Sequence, residues 1–473
     1  MSDLRGLLGL LILLTAPAGA GENFPLGPLG ATAEVQAGWA HAVIVKVQPD
    51  GPAARAGLAP GDSITSAAGQ SFEAHSPSVN AGGRGPQKGL GEAVDDALRS
   101  HESDGAPQVL SLGIEREGEP LELEVELPHR PALSGERASE GRRSLRAAAA
   151  RQLLASRAGH GAWDSPVGLS GDRVTSAWAV IALLAHGDPD QTEQVDRAVS
   201  WLRGPEGRAW LPEDFSKGPD NLGNWALTAT AVALAEHDHA RGTDEHEELL
   251  SHICEGLVAR MTDEGRFGHD VTVGYGGKGF NVVNTLSHLA WAAAHRRGVP
   301  IDEPACSKSL EEVKRSIDPD HGVRYWTMKD TGTGDASLRT ASMAVALQLV
   351  GREPALSEGF VGYLSKHAPR TREAHAVGSL GMLLAAPALR GHSREAWESF
   401  IEEWRWYLTL MWGHDDRLHY IGGKGNNGGD SYLGMDKIAA VIALQLLSAD
   451  DGRLMMHHRH SKALGSGPPD EER

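Results

Sequence analysis

A recurring turn governs what the C-terminal two-thirds of this 473-residue chain can fold into. A glycine followed closely by an aromatic residue appears as GAW ending at Trp163, GRAW at Trp210, GRF at Phe267 and GVRYW at Trp326, and more loosely as DRLHY at Tyr420. The gaps are 47, 57, 59 and 94 residues, the last being two units of the first. A fixed period of this size marks a repeat architecture, whose single unit cannot bury its apolar face alone. Between the turns the sequence is Ala-rich and helical, with no strand alternation. Six helix pairs are predicted: Arg143–Arg157 with Asp172–Ala185, Gln191–Leu202 with Leu222–Glu236, and Glu245–Met261 with Val282–Arg296. Then come Ala305–Ser316 with Ala336–Val350, Ala355–Lys366 with Arg372–Leu384, and Arg394–Met411 with Tyr432–Leu447. The first member of each pair is more charged; the second is smaller and more apolar, as in TSAWAVIALLA and LRTASMAVALQLV. A helix apolar all round is buried, whereas a one-sided helix faces solvent. The alternation therefore predicts an inner ring of helices inside an outer one, a closed all-α (α/α)6 toroid over residues 143–450. An open α-solenoid is the alternative.

The N-terminal part has a different texture. Ala40–Val47 reads AHAVIVKV, with β-branched residues at strand density. Pro52 can open a short helix over Ala53–Ala56 that Gly57 closes. Pro60-Gly61-Asp62 is a turn, and a strand begins at Ser63–Thr65. A helix over Gly91–Ser100 and strands at Val109–Glu115 and Leu121–Leu127 complete a small β-rich domain over 22–130. The run G-P-A-A-x-A-G-L-x-P-G-D-x-I, from Gly51 to Ile64, resembles the PDZ domains of bacterial periplasmic proteases. That resemblance implies a Gly-rich loop whose N–H groups take a peptide carboxylate, and a sheet edge to which an extended peptide adds. The corresponding loop makes Leu26, Gly27, Leu29 and Gly30 the candidate contacts for a peptide or protein partner. Pro25 and Pro28 remove N–H donors there, so a purely structural or docking PDZ stays open as well. No G-x-S-x-G protease signature accompanies it.

Arg5, the apolar run Leu7–Leu14 and the small residues Ala18-Gly19-Ala20 read as a cleavable secretion signal over 1–20, too short to span a bilayer. The mature protein is accordingly expected to be secreted or periplasmic and free of the membrane. With 45 Lys+Arg against 63 Asp+Glu, a net charge of −18 argues against a nucleic-acid partner, which needs a basic face. Two cysteines exclude a disulfide framework and a four-cysteine zinc site. Cys254 and Cys306 lie about one repeat apart, so either a disulfide or two buried thiols is consistent with the sequence. Residues 131–142 read as a linker rich in Pro, Gly and charge, and 451–473 as a disordered tail.

The Gly-aromatic turns and the helix pairs resemble the toroids of terpenoid cyclases and protein prenyltransferases. The full layout is similar to an uncharacterised family of secreted bacterial proteins that join an N-terminal PDZ domain to an α/α toroid. The chemistry of the known toroids does not transfer. The cyclase D-x-D-D motif is reduced to His414-Asp415-Asp416, both cysteines fall on outer helices, and no thioester motif is present. No metal or cofactor is expected.

A duplicated loop is the sharpest internal feature: GYGGKGFN over Gly274–Asn281 and YIGGKGNNGGDSY over Tyr420–Tyr432. Lys278 and Lys424 are 146 residues apart, close to three repeats, so a six-fold ring sets them opposite each other. Glycines let backbone N–H groups approach a ligand, and a helix N-terminus favours an anion. Gly276, Gly277, Lys278, Asn281, Asn284, Trp326, Gly422, Gly423, Lys424, Asn426, Asn427 and Asp430 are therefore candidate contacts for a glycan or an anionic small ligand. His269, Asp270, Tyr275, Arg339 and His375 are candidates for acid–base chemistry if the mouth belongs to a polysaccharide hydrolase or lyase. A purely structural interaction protein is the third reading.

Overall fold

The computed structural model describes residues 21–76, 85–100, 107–204, 223–271, 279–326, 336–374, 377–421, 430 and 435–458. The signal segment expected over 1–20 lies outside them.

Alternating apolar residues build one antiparallel sheet at the N-terminal end. Its strands are β1 (Glu22–Pro25), β2 (Ala31–Val35), β3 (Ala42–Val47), β4 (Ser63–Ala67), β5 (Gln70–Ser71), β6 (Val109–Arg116) and β7 (Glu119–Glu126). They run in the order β1-β2-β3-β4-β6-β7, with β5 paired to β4. In β2 the period-two pattern buries Ala31, Ala33 and Val35, and in β6 it buries Leu110, Leu112 and Ile114. Helix α1 (Pro52–Arg55) opens on Pro52, whose missing N–H has no partner to lose at a first turn. Helix α2 (Pro86–Ser100) buries Leu90, Val94 and Leu98 at four-residue spacing.

Among the described residues that follow, twelve helices form six pairs. The outer members are α3 (Ala138–Ala155), α5 (Thr192–Arg203), α7 (Glu247–Ala259), α9 (Glu303–Arg315), α11 (Pro354–Lys366) and α13 (Arg394–Met411). The inner members are α4 (Leu169–His186), α6 (Gly223–Arg241), α8 (Asn281–Arg296), α10 (Ser337–Val350), α12 (Gly378–His392) and α14 (Met435–Ser448). Each inner helix packs on the next, α4 on α6, α8, α10, α12 and α14 in turn, and α14 returns to α4. That closure makes the domain an (α/α)6 toroid and excludes the open solenoid. Every residue of α10 is buried, as an inner helix apolar on all sides must be. Helix α12 starts at Gly378, later than Arg372 as expected, because Arg372 and Glu373 belong to a 3-10 turn over Ala368–Glu373. It then continues through Pro387.

Two sequence expectations are corrected. The segment read as a linker is packed: Ala132 and Leu133 are buried, and α3 begins at Ala138, inside it. The tail is not disordered from 451. Leu454, Met455, Met456 and His457 are buried, and their segment contacts α10 and α12. From the opposite side of the ring, the Glu236 carboxylate on α6 accepts the N–H groups of Met455 (2.8 Å) and Met456 (3.0 Å). Three apolar side chains in sequence give this segment a reason to enter the ring, and it closes the end where the inner helices finish.

The two domains are joined along α2 and α13. Gly91 lets the helices approach until a Cβ there would stand 2.5 Å from the Trp406 carbonyl oxygen. Around that contact Lys88 pairs with Glu403 (2.9 Å), and the buried Asp95 accepts from Arg405 (2.9 Å) and from the Leu133 N–H (2.7 Å).

Candidate functional site

The mouth of the toroid lies where the inner helices begin, and the Gly-aromatic turns build it. Three of the turns are tied down by a polar residue in the first half of an inner helix. Ser176 accepts the Trp163 N–H (2.9 Å), Asn284 the Phe267 N–H (3.0 Å) and Thr340 the Val323 N–H (3.1 Å). Adjacent repeats are stitched in the same way. The Asn224 amide donates to the carbonyls of Gly268 and Asp270 (both 3.0 Å), and the Asn281 amide to that of Arg324 (2.8 Å). Asn281 and Asn284, expected to touch a ligand, are thus buried, Asn281 bridging to the next repeat and Asn284 holding the turn of its own. Arg339 is fully buried: it donates from Nε to the Val323 carbonyl (2.8 Å) and lies 5.4 Å from the Tyr325 ring centre.

Across pairs two to four the turns leave a continuous row of rings. Trp225 stacks on His269 (6.0 Å between centroids), His269 meets Phe280 (4.3 Å), Phe280 stacks on Tyr325 (5.8 Å) and Tyr325 meets Trp326 (5.3 Å). His269, Tyr325 and Trp326 are partly exposed. The Nδ1 of His269 accepts from the Trp225 indole (2.8 Å), and burial pushes the imidazole down to about 4. A ring that stays neutral to that pH cannot serve as a general acid near neutrality. Asp270 is half-buried beside it, its carbonyl held by Asn224.

Across pairs five and six the mouth is charged. Arg372 and Glu373 are adjacent and buried, with Arg372 Nε donating to Glu373 (3.3 Å) and Nη1 to Gln87 of α2 (3.3 Å). Nη2 of Arg372 and Oε2 of Glu373 have no hydrogen-bond partner. Asp430 is also buried, accepting from the Ser379 N–H (3.0 Å), the Ser379 hydroxyl (2.8 Å) and the Tyr420 phenol. Burial raises both carboxyls above their usual range, and the charges of Glu22 and Asp430 add to the rise at Glu373. Burial and Asp430 together push the Tyr420 phenol well up. Glu22 and Gln87 belong to the N-terminal β-rich region, so both parts of the chain face this arc.

Tyr275, Gly276, Gly277, Lys278, His375, Gly422, Gly423, Lys424, Asn426 and Asn427 lie outside the described residues. Of the ligand contacts expected from sequence, Trp326 and Asp430 fall in the mouth. Glu373 was missed, although it follows directly on Arg372, where the inner helix was expected to start.

The PDZ loop departs from the expectation of a peptide site. Leu26, Gly27, Leu29 and Gly30 are all buried. Their N–H groups turn inward, Leu26 to the Ala31 carbonyl (2.8 Å), Leu29 to Leu26 (3.0 Å) and Gly30 to Gly27 (3.0 Å). Gly27 packs on the backbone of Thr409 and Leu410, and Gly30 on the ring of His414. The edge of β2, where a peptide would add, already carries β1 in antiparallel register from Glu22 opposite Val35 to Pro25 opposite Thr32.

Residues 147–447 match the family model described as a domain of unknown function, DUF6288. The chain belongs to that family. Residues 43–78 match a PDZ domain model, as the Gly51–Ile64 run implied. No curated protein matches. Among solved structures, the DUF6288 chain is similar to the alpha-1,6-mannanase GH76A of Salegentibacter sp. HEL1_6, at 10% identity and a TM-score of 0.47, over 66% of this chain and 99% of that one. It is also similar to the type II terpene cyclase MstE from Scytonema, at 14% identity and a TM-score of 0.43, over 66% of this chain and 98% of that one. Among the described residues of the DUF6288 chain, no helix is long and apolar enough to cross a membrane.

Proposed function

We propose that this DUF6288 protein is exported and that its toroid mouth takes up a polar, sugar-like ligand, with the PDZ domain docked as one flank of the mouth. The cluster of Arg372, Glu373, Tyr420 and Asp430 carries the reading, because its buried Arg372–Glu373 pair leaves Nη2 of the one and Oε2 of the other without a hydrogen-bond partner. Buried polar groups without partners are rare and call for an explanation. A sugar offers hydroxyls to such groups and apolar faces to rings like Tyr325 and Trp326. Lys278 and Lys424 would add an anion preference through the glycine-framed loops before α8 and α14. Export rests on the signal-like segment ending at Ala20. Capture of a peptide by the PDZ domain would require β1 to leave β2.

A second reading, a polysaccharide hydrolase or lyase, is favoured by the two raised carboxyls. Glycoside cleavage needs a pair of carboxyls, one of them protonated near neutral pH, and burial raises both Glu373 and Asp430 towards that state. The test is a glycan array and a polysaccharide-turnover screen on wild type, Trp326→Ala, Glu373→Gln and the Lys278→Ala/Lys424→Ala double variant. Binding weakened at least tenfold by Trp326→Ala and by the double variant supports the mouth. Turnover abolished by Glu373→Gln with binding retained supports the enzyme. No binding to any glycan, or binding indifferent to all three changes, refutes the proposal.

A further inference from the structure

At the rim opposite the mouth, where α6 ends and α7 begins, the chain reads EHDHARGTDEH from Glu236 to His246. Two of its histidines are almost fully enclosed, His237 at 5% exposure and His246 at 1%. Each ring is held on one side by a carboxylate. Nε2 of His237 lies 3.0 Å from Asp196, and Nδ1 of His246 lies 2.6 Å from Asp238. Asp196 is further braced by Arg241 (2.8 Å), and Asp238 accepts the His246 N–H (3.0 Å) and the Thr243 hydroxyl (3.1 Å). A carboxylate on one ring nitrogen fixes the N–H there and leaves the lone pair on the other. Those other nitrogens, Nδ1 of His237 and Nε2 of His246, are buried and have no partner.

One such orphan acceptor costs about 1–3 kcal/mol. Two on neighbouring rings, with centroids 5.2 Å apart and planes at 74°, ask for a shared occupant. One donor atom each of His237, Asp238 and His246 lies within 4.8 Å of the others. Two imidazoles bound to one tetrahedral ion at about 2.0–2.1 Å place their ring centres about 5 Å apart. Metal-bound histidines characteristically give their second N–H to a carboxylate, the pattern both rings show. Two carboxylates beside two neutral imidazoles balance a divalent charge. Nitrogen donors select a borderline ion such as zinc over calcium or magnesium. Asp196 is half exposed and opens a route from solvent.

We propose that His237 and His246, oriented by Asp196 and Asp238, bind a divalent transition-metal ion of the zinc class. The ion would staple the end of helix pair two to the start of pair three, remote from the mouth. This departs from the absence of metal expected from sequence, where the histidines and acids were not singled out.

The test is titration of untagged, chelator-treated full-length protein with Co²⁺, read by visible absorption, and with Zn²⁺, read by metal content after gel filtration. One equivalent per chain is expected, with no thiolate charge-transfer band. His237→Gln and His246→Gln should each weaken binding at least tenfold, as should Asp196→Asn, which alters a half-exposed residue and whose fold is checked by circular dichroism. His458→Ala/His460→Ala should change nothing. X-ray absorption on zinc-loaded wild type, which needs no variant, should show imidazole and oxygen ligands only. Absence of saturable binding, sulfur in the coordination sphere, loss of binding in the His458/His460 variant, or indifference to Asp196→Asn would overturn the site.

Discussion

The contact between α2 and α13 can be tested by one methyl group. Gly91→Ala places a Cβ 2.5 Å from the Trp406 carbonyl oxygen and 2.9 Å from its carbonyl carbon and Cα. These are backbone atoms inside a helix, so no side chain can swing away. An ordinary carbon–oxygen approach is about 3.3–3.6 Å, so the helices must part by roughly 1 Å. A gap of that size forfeits about a quarter to a half of each dispersion contact along the seam, and overpacking of this kind costs about 1–3 kcal/mol. Against it stands the gain of about 0.5–1 kcal/mol that alanine brings to a helix interior. The expected net effect is a loss of about 1–2 kcal/mol. Gly362, exposed on α11 with nothing within 4 Å of a built Cβ, supplies the control. Gly362→Ala should stabilise by about 0.5–1 kcal/mol. The measurement is urea unfolding of both variants, followed by circular dichroism and by tryptophan fluorescence, since Trp404 and Trp406 are buried on α13. The same substitution must give opposite signs at the two sites. If Gly91→Ala stabilises as Gly362→Ala does, the PDZ domain is not seated on α13 and its role as a flank of the mouth fails.

Three further outcomes follow from buried groups. Burial holds His288 down to about 4, below its ordinary 6.5, so the folded state stays neutral while the unfolded chain takes up protons. Its contribution is present above pH 6.5 and lost as pH falls towards 4, about 3 kcal/mol at 1.36 kcal/mol per pH unit. Between pH 6.5 and 4, unfolding free energies of wild type should therefore fall more steeply than those of His288→Gln, and parallel curves would refute this. Cys254 and Cys306 are free and buried, with both thiols pushed up to about 12, so Ellman's reagent should find no thiol in native protein and two per chain after unfolding without reductant. Zero after unfolding would mean a disulfide. Ending the chain after Gly452 removes Leu454–His457 and strips the Glu236 carboxylate of both N–H donors, so stability should drop by at least about 3 kcal/mol. Ending it after His458 should change nothing, and equal midpoints for the two truncations would remove the plug.

The toroid was legible because its signals are local and repeated. A Gly-aromatic turn marks five of the six repeats, and the contrast between TSAWAVIALLA and the charged helix before it separates inner from outer positions. The turn also has a cause that sequence could only hint at: its N–H groups need acceptors, and Ser176, Asn284 and Thr340 supply them from the inner helices. That is why Asn281 and Asn284 were misread. An amide near a glycine loop at a helix start looks like a ligand contact, and only the three-dimensional pairing reveals that its hydrogen bonds are taken. The PDZ loop misled for a related reason. The Gly51–Ile64 run specifies the fold, yet whether a sheet edge is free depends on what lies on it, here β1 and the end of α13. Long-range docking leaves one faint mark in sequence, a glycine at position 91 in mid-helix, where alanine would serve a solitary helix better. Glu373 was hidden because the groups that act on it, Glu22 of the first strand and Asp430 of the last repeat, lie far from it in the chain. Two acids raised by burial at one arc of the ring belong to no motif. Their arrangement exists only once the ring has closed and the PDZ domain has been set against it, so the charged arc of the mouth is a property of the assembled molecule rather than of any segment.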